Sequence, residues 1–197
     1  MPRIPLPGPE EMTPEQRRVY DGIVSGPRGV LIGPLRAGIH SPDIAERWSK
    51  LGESLRFNTV LPKRLNELAI CVTGRRYTAQ IEWWVHAKAA GEAGIPADVL
   101  ESIRTNEAPS FADPEEALIY EFARQIHLTG TVPDETYNAV VARWGARGAV
   151  ELTAVIGYYV LVSMTLNVHD IPLPDGVPAP LAPPPGGGLA PLPPARA

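Results

Sequence analysis

Three ionisable residues in an otherwise apolar stretch have the types and spacing for proton transfer. The stretch, residues 64–94, holds Glu67, Glu82 and His86. Glu82 and His86 are four positions apart, so they share one face of a helix, whereas Glu67 can reach that face only through tertiary packing. On an exposed helix such a pair would contribute only roughly 0.2–0.5 kcal/mol, and Glu67 would be one more exposed position.

Two adjacent tryptophans favour a buried site over that surface pair. Trp83 and Trp84 lie between Glu82 and His86, which indicates that part of this helix is buried. Buried carboxylates and imidazoles must be paired, and their pKa values move toward neutrality, where proton transfer is efficient. We therefore predict that Glu67, Glu82 and His86 are catalytic.

Arginines around this stretch indicate an anionic substrate. Arg75 lies at the expected break between two helices, Arg64 opens the stretch, and Arg28 belongs to a loop rich in glycine and proline. A guanidinium that projects toward the acid–base residues would bind a carboxylate through paired hydrogen bonds. We predict that Arg75, Arg28, Arg64 and Trp83 bind the substrate.

The sequence gives little support for metal or nucleophilic chemistry. It lacks two histidines four apart, the helix pattern of zinc proteases, and the remaining histidines lie in separate segments, at His40, His127 and His169. The single cysteine, Cys71, falls in an apolar helix, where cysteines are usually inert. A glycine-rich phosphate loop and a serine-nucleophile elbow are absent. We expect neither a metal nor an organic cofactor.

Composition narrows the function classes further. The chain has 197 residues, of which 44% are hydrophobic and 20% charged, with a net charge of -4. This favours one domain with a sizeable core, and the absence of a basic run disfavours nucleic acid as a partner.

One cysteine allows no internal disulfide and favours a reducing compartment. The first residues lack the apolar core of a signal peptide, and the apolar run at residues 152–166 is too short and interrupted for a membrane span. We expect a soluble, cytoplasmic protein without membrane contact.

The periodicity of apolar residues predicts an all-α fold, because no segment alternates as a strand. Residues 1–12 form an extended arm, residues 13–171 a helical domain, and residues 172–197 a tail with 10 prolines and 4 glycines that cannot form a core and is either mobile or wrapped over the surface. The long loop at residues 25–40 is typical of functional or interfacial segments. Caps, prolines and glycines place the predicted helices at about 14–24, 42–56, 62–72, 79–92, 97–104, 114–129, 133–144 and 147–168.

A weak internal similarity suggests two distant helical repeats. Glu67 begins the run ELAI and is followed 19 residues later by His86, while Glu151 begins ELTA and is followed 18 residues later by His169. The last predicted helix, which contains Glu151, is apolar on nearly all sides, so we expect it to be buried, as helices at subunit interfaces often are.

These residues resemble the carboxymuconolactone decarboxylase family, whose relatives include the alkyl hydroperoxidase D proteins. The resemblance covers residues 13–172 in helix order. It is strongest at Glu67, Glu82, Trp83, His86, Ala90, Gly94, Tyr120–Ala123, Val150–Leu152, Tyr158 and Asn167. It implies a helical bundle of the alkyl hydroperoxidase D type that assembles into trimers or hexamers.

The resemblance also discriminates between two activities. The peroxidase branch carries a Cys-x-x-Cys pair, and its cysteine positions fall here on Ala79 and Glu82. Dithiol peroxide reduction needs both sulfurs, so an antioxidant hydroperoxidase is the less favoured alternative. The decarboxylase branch lacks the pair, which implies a cofactor-free carboxy-lyase in the catabolism of aromatic compounds. It would act on a small anionic lactone or aromatic-derived acid.

In that reaction His86 would serve as acid or base and Glu82 would orient and tune it. Glu67 would complete the relay or hold the second carboxyl in reach. The arm and tail make the chain longer than a minimal decarboxylase of the family, which indicates a longer branch with its own substrate. A non-enzymatic oligomeric binding protein is the second alternative. For that function, we expect Glu82 and His86 to be exposed and without an adjoining pocket.

Overall fold

Helices account for the regular structure of the chain. The computed structural model describes residues 1–27 and 29–196. Within them, a short 3-10 helix at Pro9–Glu11 precedes the α-helices, which are α1 (Pro14–Ser25), α2 (Leu35–Gly38), α3 (Pro42–Phe57), α4 (Lys63–Arg76), α5 (Gln80–Glu92), α6 (Ala97–Thr105), α7 (Pro114–Thr129) and α8 (Asp134–Val168). The only extended pairing in the described residues is an isolated bridge between Ser110 and Arg196. The all-α prediction is confirmed.

The helix starts follow from local chemistry that the sequence displays. Thr13 accepts the backbone N–H of Gln16 at 3.3 Å, and the Gln16 side chain accepts the backbone N–H of Thr13 at 2.9 Å, which completes a capping box before α1. The carboxylate of Asp113 accepts the backbone N–H of Glu115 at 2.8 Å and caps α7 in the same way.

The predicted break at Gly74 is wrong, because α4 continues through this glycine to Arg76. The chain reverses after Tyr77 instead, where Thr78 has a φ of 51°. Gly74 serves packing: a Cβ added there would lie 3.5 Å from the Cβ of Glu82 and 3.6 Å from the backbone nitrogen of Trp83. Its lack of a side chain lets α4 approach the first turn of α5 closely.

Helix α4 is the centre of the fold. It packs against α5, α6, α7 and α8, and every residue from Leu65 to Arg75 is buried. A helix enclosed on all sides must satisfy its polar groups within the protein. Glu67 and Thr73 therefore lie in the interior although they are polar.

Helix α8 is less buried than we expected. The chain kinks at Gly145, whose φ is 70°, which agrees with the predicted separation into two helical segments. One face of the long second segment packs into the core through residues such as Leu152, Val155 and Leu166. The other carries exposed apolar side chains, including Leu161 and Met164. The helix is long and apolar enough to cross a membrane, but half of its apolar window is buried inside the fold, as in the core helix of a soluble protein.

The C-terminal tail wraps over α4, α5 and α7. The backbone of Leu181 forms two hydrogen bonds with the Gln80 side chain, at 2.9 and 3.0 Å. The Tyr120 hydroxyl donates to the carbonyl of Pro193 at 2.7 Å. The tail thus follows the surface-wrapping arrangement rather than the mobile one, and its residues Leu181 and Leu192 are buried in the main hydrophobic cluster. A proline-rich segment can do this because single leucines fill grooves between helices without a helix of their own.

The internal similarity does not produce a second cluster of the same kind. Glu67 and His86 lie on two different helices. Glu151 lies on the second segment of α8 and His169 directly follows that helix, so at 1.5 Å per residue the two are about 27 Å apart. Glu151 instead accepts the backbone N–H of Val60 at 2.6 Å.

Candidate functional site

Helices α4 and α5 bring Glu67 and His86 into direct contact. The Nδ1–H of His86 donates to the Glu67 carboxylate over 2.6 Å. Glu67 belongs to the first turns of α4 and His86 to the middle of α5. A short hydrogen bond from one ring nitrogen to a carboxylate fixes the orientation of an imidazole and the position of its protons.

Glu82 faces the opposite nitrogen of the same ring. Its Oε2 lies 3.1 Å from Nε2 of His86, one helical turn away. That oxygen forms no hydrogen bond among the described residues. The contact is therefore mainly electrostatic, and His86 lies between two carboxylates that bind it unequally.

Burial makes this cluster sensitive to charge. Glu67 and Glu82 are each 6% exposed and His86 is 3% exposed. Burial alone lowers the pKa of His86, but the charge of Glu82, the hydrogen bond to Glu67 and the charge of Glu67 outweigh it and raise the pKa to about 9. At neutral pH the imidazole is therefore protonated and can donate a proton.

Two tyrosines of α8 form the third side of the cluster. The rings of His86 and Tyr159 pack edge to face, with their centroids 4.9 Å apart. Tyr158 packs against Tyr159 and donates a hydrogen bond to the carbonyl of Trp48 at 3.4 Å. Burial, followed by the charge of Glu82, raises the pKa of Tyr159 well above its usual value, so the phenol stays neutral.

A small inner pocket opens onto the cluster. Its volume is about 50 Å³, and its walls include Glu82, His86, Tyr158, Tyr159 and Arg56. Glu67 does not line it and lies behind His86. This placement differs from the predicted roles: Glu67 is the residue positioned to orient the imidazole, and Glu82 is the carboxylate nearer to a bound molecule.

A larger outer cavity adjoins the inner pocket. It has a volume of about 520 Å³ and shares Ile32, Gly33, Ile81 and Val85 with the inner pocket. Residues 32–36 line one or both of the spaces, and residues 171–175, at the start of the tail, line the outer cavity. The two spaces together have the size and the mostly apolar lining of a small-molecule site.

The predicted substrate-binding residues lie elsewhere. Arg64 forms salt bridges with Asp113 and Glu115, at 2.9 and 2.8 Å. The buried guanidinium of Arg75 donates to Asn106, Thr78 and the carbonyl of Ala182. Both arginines stabilise the scaffold, and neither lines the two spaces. Arg28 lies outside the described residues.

Of the two tryptophans, the second is the one that adjoins the cavity. Trp83 is 4% exposed and packs in the core, whereas Trp84 is 42% exposed and lines the outer cavity. Sequence reasoning also missed Arg56 and Tyr159. Tyr159 could have been noticed as a tyrosine in an apolar helix, because a buried hydroxyl usually needs a partner. The sequence around Arg56, in the last turn of α3, holds no comparable signal.

The arrangement supports acid–base chemistry more directly than other chemistry. Among residues 1–27 and 29–196, no group of three or more histidine, cysteine, aspartate or glutamate side chains is placed to hold a metal ion. Cys71 is fully buried, and burial together with the charges of Glu67 and Glu82 raises its pKa well above the usual value. A thiol in such surroundings is a poor nucleophile.

Comparison with known proteins supports the fold. No model of a protein family matches the chain, and no curated protein matches it. One similar solved structure is a variant of the debrominase Bmp8, with a cysteine replaced by alanine, in complex with 2,3,4-tribromopyrrole. It superposes with a TM-score of 0.62 at 15% sequence identity and covers 85% of this chain and 88% of its own. At this identity the likeness shows an all-helical fold, consistent with the alkyl hydroperoxidase D-like type.

Proposed function

We propose that this protein is a cofactor-independent enzyme that transfers protons at the cluster of Glu67, His86 and Glu82. Its substrate is a small anionic lactone or aromatic-derived acid, and its reaction is decarboxylation. The observation that carries the proposal is the position of His86, which Glu67 holds at 2.6 Å on the wall of a pocket. A buried, oriented imidazolium beside a ligand-sized space is a proton donor with a fixed direction.

Each member of the cluster has a distinct part in the proposed reaction. Glu67 accepts the Nδ1–H and keeps the ring in place, as the carboxylate does in other carboxylate–histidine pairs. His86 supplies the proton, either from Nε2 or through the Glu82 carboxylate that lies 3.1 Å away. Tyr159 holds the ring from its edge and keeps water from surrounding it.

The proposed step balances without a cofactor. The bond between the departing carboxylate and its carbon breaks, CO₂ leaves, and the bonding electrons move into the lactone carbonyl as an enolate. The enolate carbon then takes a proton from His86, and a proton from solvent restores the imidazolium. The substrate carbonyl is the electron sink, so no redox partner is required.

Turnover measurements test this function. A panel of lactone acids, muconate acids and 2,3,4-tribromopyrrole, the ligand of the similar structure, is assayed for CO₂ release and for loss of ultraviolet absorbance. We expect His86→Gln to reduce turnover at least a hundredfold, the usual effect of losing a general acid. His40→Gln is the matched control, because His40 is exposed, forms a hydrogen bond with the carbonyl of Pro5 and lines neither of the two spaces. Equal turnover in His86→Gln and wild type would remove His86 from the reaction.

A thiol peroxidase is less well supported. Cys71 is the sole sulfur nucleophile in the sequence, and it is 0% exposed with a raised pKa. Any peroxide-reducing activity should therefore survive Cys71→Ser. Full loss of such activity in that variant would revive the thiol mechanism.

A non-enzymatic binding protein is the remaining alternative. Exposed Glu82 and His86 without an adjoining pocket would favour it, whereas both side chains are buried and line the inner pocket. This observation favours catalysis. Tight binding of panel compounds without any turnover would favour the binding protein.

The proposed enzyme assembles from copies of this chain, as a trimer or hexamer. Helix α8 carries an apolar stripe, whose members alternate by four and three positions as in paired helices. The stripe consists of Val150, Ala154, Gly157, Leu161, Met164 and Val168, and it holds no charge that would oppose a second copy. Four of its side chains are exposed large hydrophobic residues, which a monomer rarely leaves in a continuous row.

A further inference from the structure

One arginine on the inner pocket forms no hydrogen bond or salt bridge with any described residue. Arg56, in the last turn of α3, lines the pocket together with Glu82 and His86. The guanidinium lies over the ring of Phe57 at 5.4 Å, and its charge acts on the neutral phenol of Tyr159. We propose that Arg56 binds the carboxylate of the substrate and orients it toward His86. This inference rests on the proposed function.

The charges of the cluster mean that binding of an anionic substrate requires a nearby cation. Two carboxylates facing one imidazolium leave the cluster formally negative, so it would repel an anionic substrate. Arg64 and Arg75 cannot compensate, because protein groups occupy their guanidinium groups. Among the described residues, Arg56 is thus the cation that lines the inner pocket, and its guanidinium can form paired hydrogen bonds with a carboxylate.

The sizes of the two spaces determine how the substrate would lie. The inner pocket, at about 50 Å³, has room for a carboxylate-sized group but not for a ring. The outer cavity, at about 520 Å³, accommodates a ring between Ile81 and Trp84. Arg36 and Asp175 both line the outer cavity, and their opposite charges offset each other. We therefore assign the preference for an anionic substrate to the inner pocket.

Arg56 is suited to a carboxylate that the substrate keeps. An ion pair with the departing carboxylate would stabilise the bound substrate more than the transition state, because that charge is lost as CO₂ forms. We therefore assign to Arg56 a retained carboxylate. The substrate therefore carries two carboxylates, one retained and one departing, on a lactone or aromatic-derived ring, and the reacting carbon lies near the opening between the two spaces.

Binding of a matched pair of ligands tests the assignment. A γ-butyrolactone carboxylate and its methyl ester differ mainly in charge, and calorimetric titration gives the affinity of each. We expect wild type to prefer the acid, and Arg56→Gln to weaken acid binding about ten- to hundredfold, as for loss of a charged hydrogen bond, with ester binding nearly unchanged. Arg47→Gln removes an exposed arginine from the same helix and should have no effect. Equal acid affinity in Arg56→Gln and wild type, or no preference for the acid in wild type, overturns the assignment.

A second measurement uses wild type and therefore tests the assignment even if Arg56→Gln does not fold. Phenylglyoxal modifies accessible arginines in wild type, and we expect the acid, but not the ester, to protect Arg56. Modification of Arg56 at the same rate with and without the acid overturns the assignment. If wild type binds the acid through Arg56 yet turns nothing over, the proposed function fails and this assignment remains.

Discussion

The Glu67 carboxylate and Nδ1 of His86 lie 2.6 Å apart, although 19 residues separate them in sequence and they belong to different helices. The contact exists because α4 is enclosed by its neighbours and presents Glu67 to α5. It fixes the one imidazole that adjoins the inner pocket. The predictions below test the charge state of this imidazole and the parts of the fold that hold it.

The first prediction concerns the pKa of His86, which nuclear magnetic resonance of the imidazole protons should place at about 9. Among the described residues, the ionisable groups that face the ring or its pocket are Glu67, Glu82, Tyr158, Tyr159 and Arg56. We expect Glu67→Gln to lower this pKa, since it removes a negative charge and a hydrogen-bond acceptor. Glu92→Gln, at the exposed end of α5, serves as control. An unchanged pKa in Glu67→Gln would contradict the pairing.

The same shift predicts how stability depends on pH. The folded pKa of about 9 exceeds the ordinary value of 6.5, so the folded state binds the extra proton more tightly. The stabilisation is fully present below about pH 6.5 and is lost as pH rises through 9. Its upper bound is on the order of 3 kcal/mol. Urea unfolding of wild type between pH 6 and pH 10 measures it, and stability that stays level or rises across this window would contradict a protonated His86.

The second prediction concerns the close approach of α4 to α5 at Gly74. A Cβ there meets only ordinary contacts, at 3.5 Å or more, so Gly74→Ala should leave stability unchanged or raise it by up to about 1 kcal/mol through helix propensity. Gly74→Leu should destabilise the fold by about 1–3 kcal/mol, because its side chain would push Glu82 and the first turn of α5 away. Thermal unfolding of both variants checks this. Equal stability of the two would mean that the helices do not meet closely at Gly74.

The third prediction concerns the proline-rich tail. Leu181 is 2% exposed and belongs to the main cluster, whereas Leu189 is 50% exposed. We expect Leu181→Ala to lower the free energy of unfolding by about 2 kcal/mol or more and Leu189→Ala to change it by less than about 0.5 kcal/mol. Urea unfolding compares the two. Two equally small effects would indicate a tail that does not pack on the helices.

The fourth prediction concerns assembly through α8. Leu161→Glu places a charge in the middle of the apolar stripe and should shift the protein to smaller assemblies, because the charge would be buried without a partner. Leu128→Glu, on the exposed side of α7, is the matched control and should leave the assembly unchanged. Sedimentation velocity measures the mass of each. A wild type that sediments as a monomer would rule out assembly through this stripe.

Much of the fold could be predicted from sequence because its signals are local. Thr13 and Asp113 cap their helices through side chains within three residues, and proline and glycine mark most helix ends. Gly74 was misleading for a physical reason. A glycine weakens a helix by only about 1 kcal/mol, and the packing of α4 on four other helices readily exceeds that.

For the candidate site, the sequence by itself determined the residue types: a carboxylate and an imidazole one turn apart, a second carboxylate upstream, and no cysteine pair. Only the tertiary structure decided which carboxylate holds the ring, since Glu67 reaches Nδ1 through the packing of α4 on α5. It also decided that Arg56, and not Arg75, faces the pocket. Arginines look alike in sequence, and the difference lies in whether distant groups, such as the Ala182 carbonyl in the tail, already occupy the guanidinium.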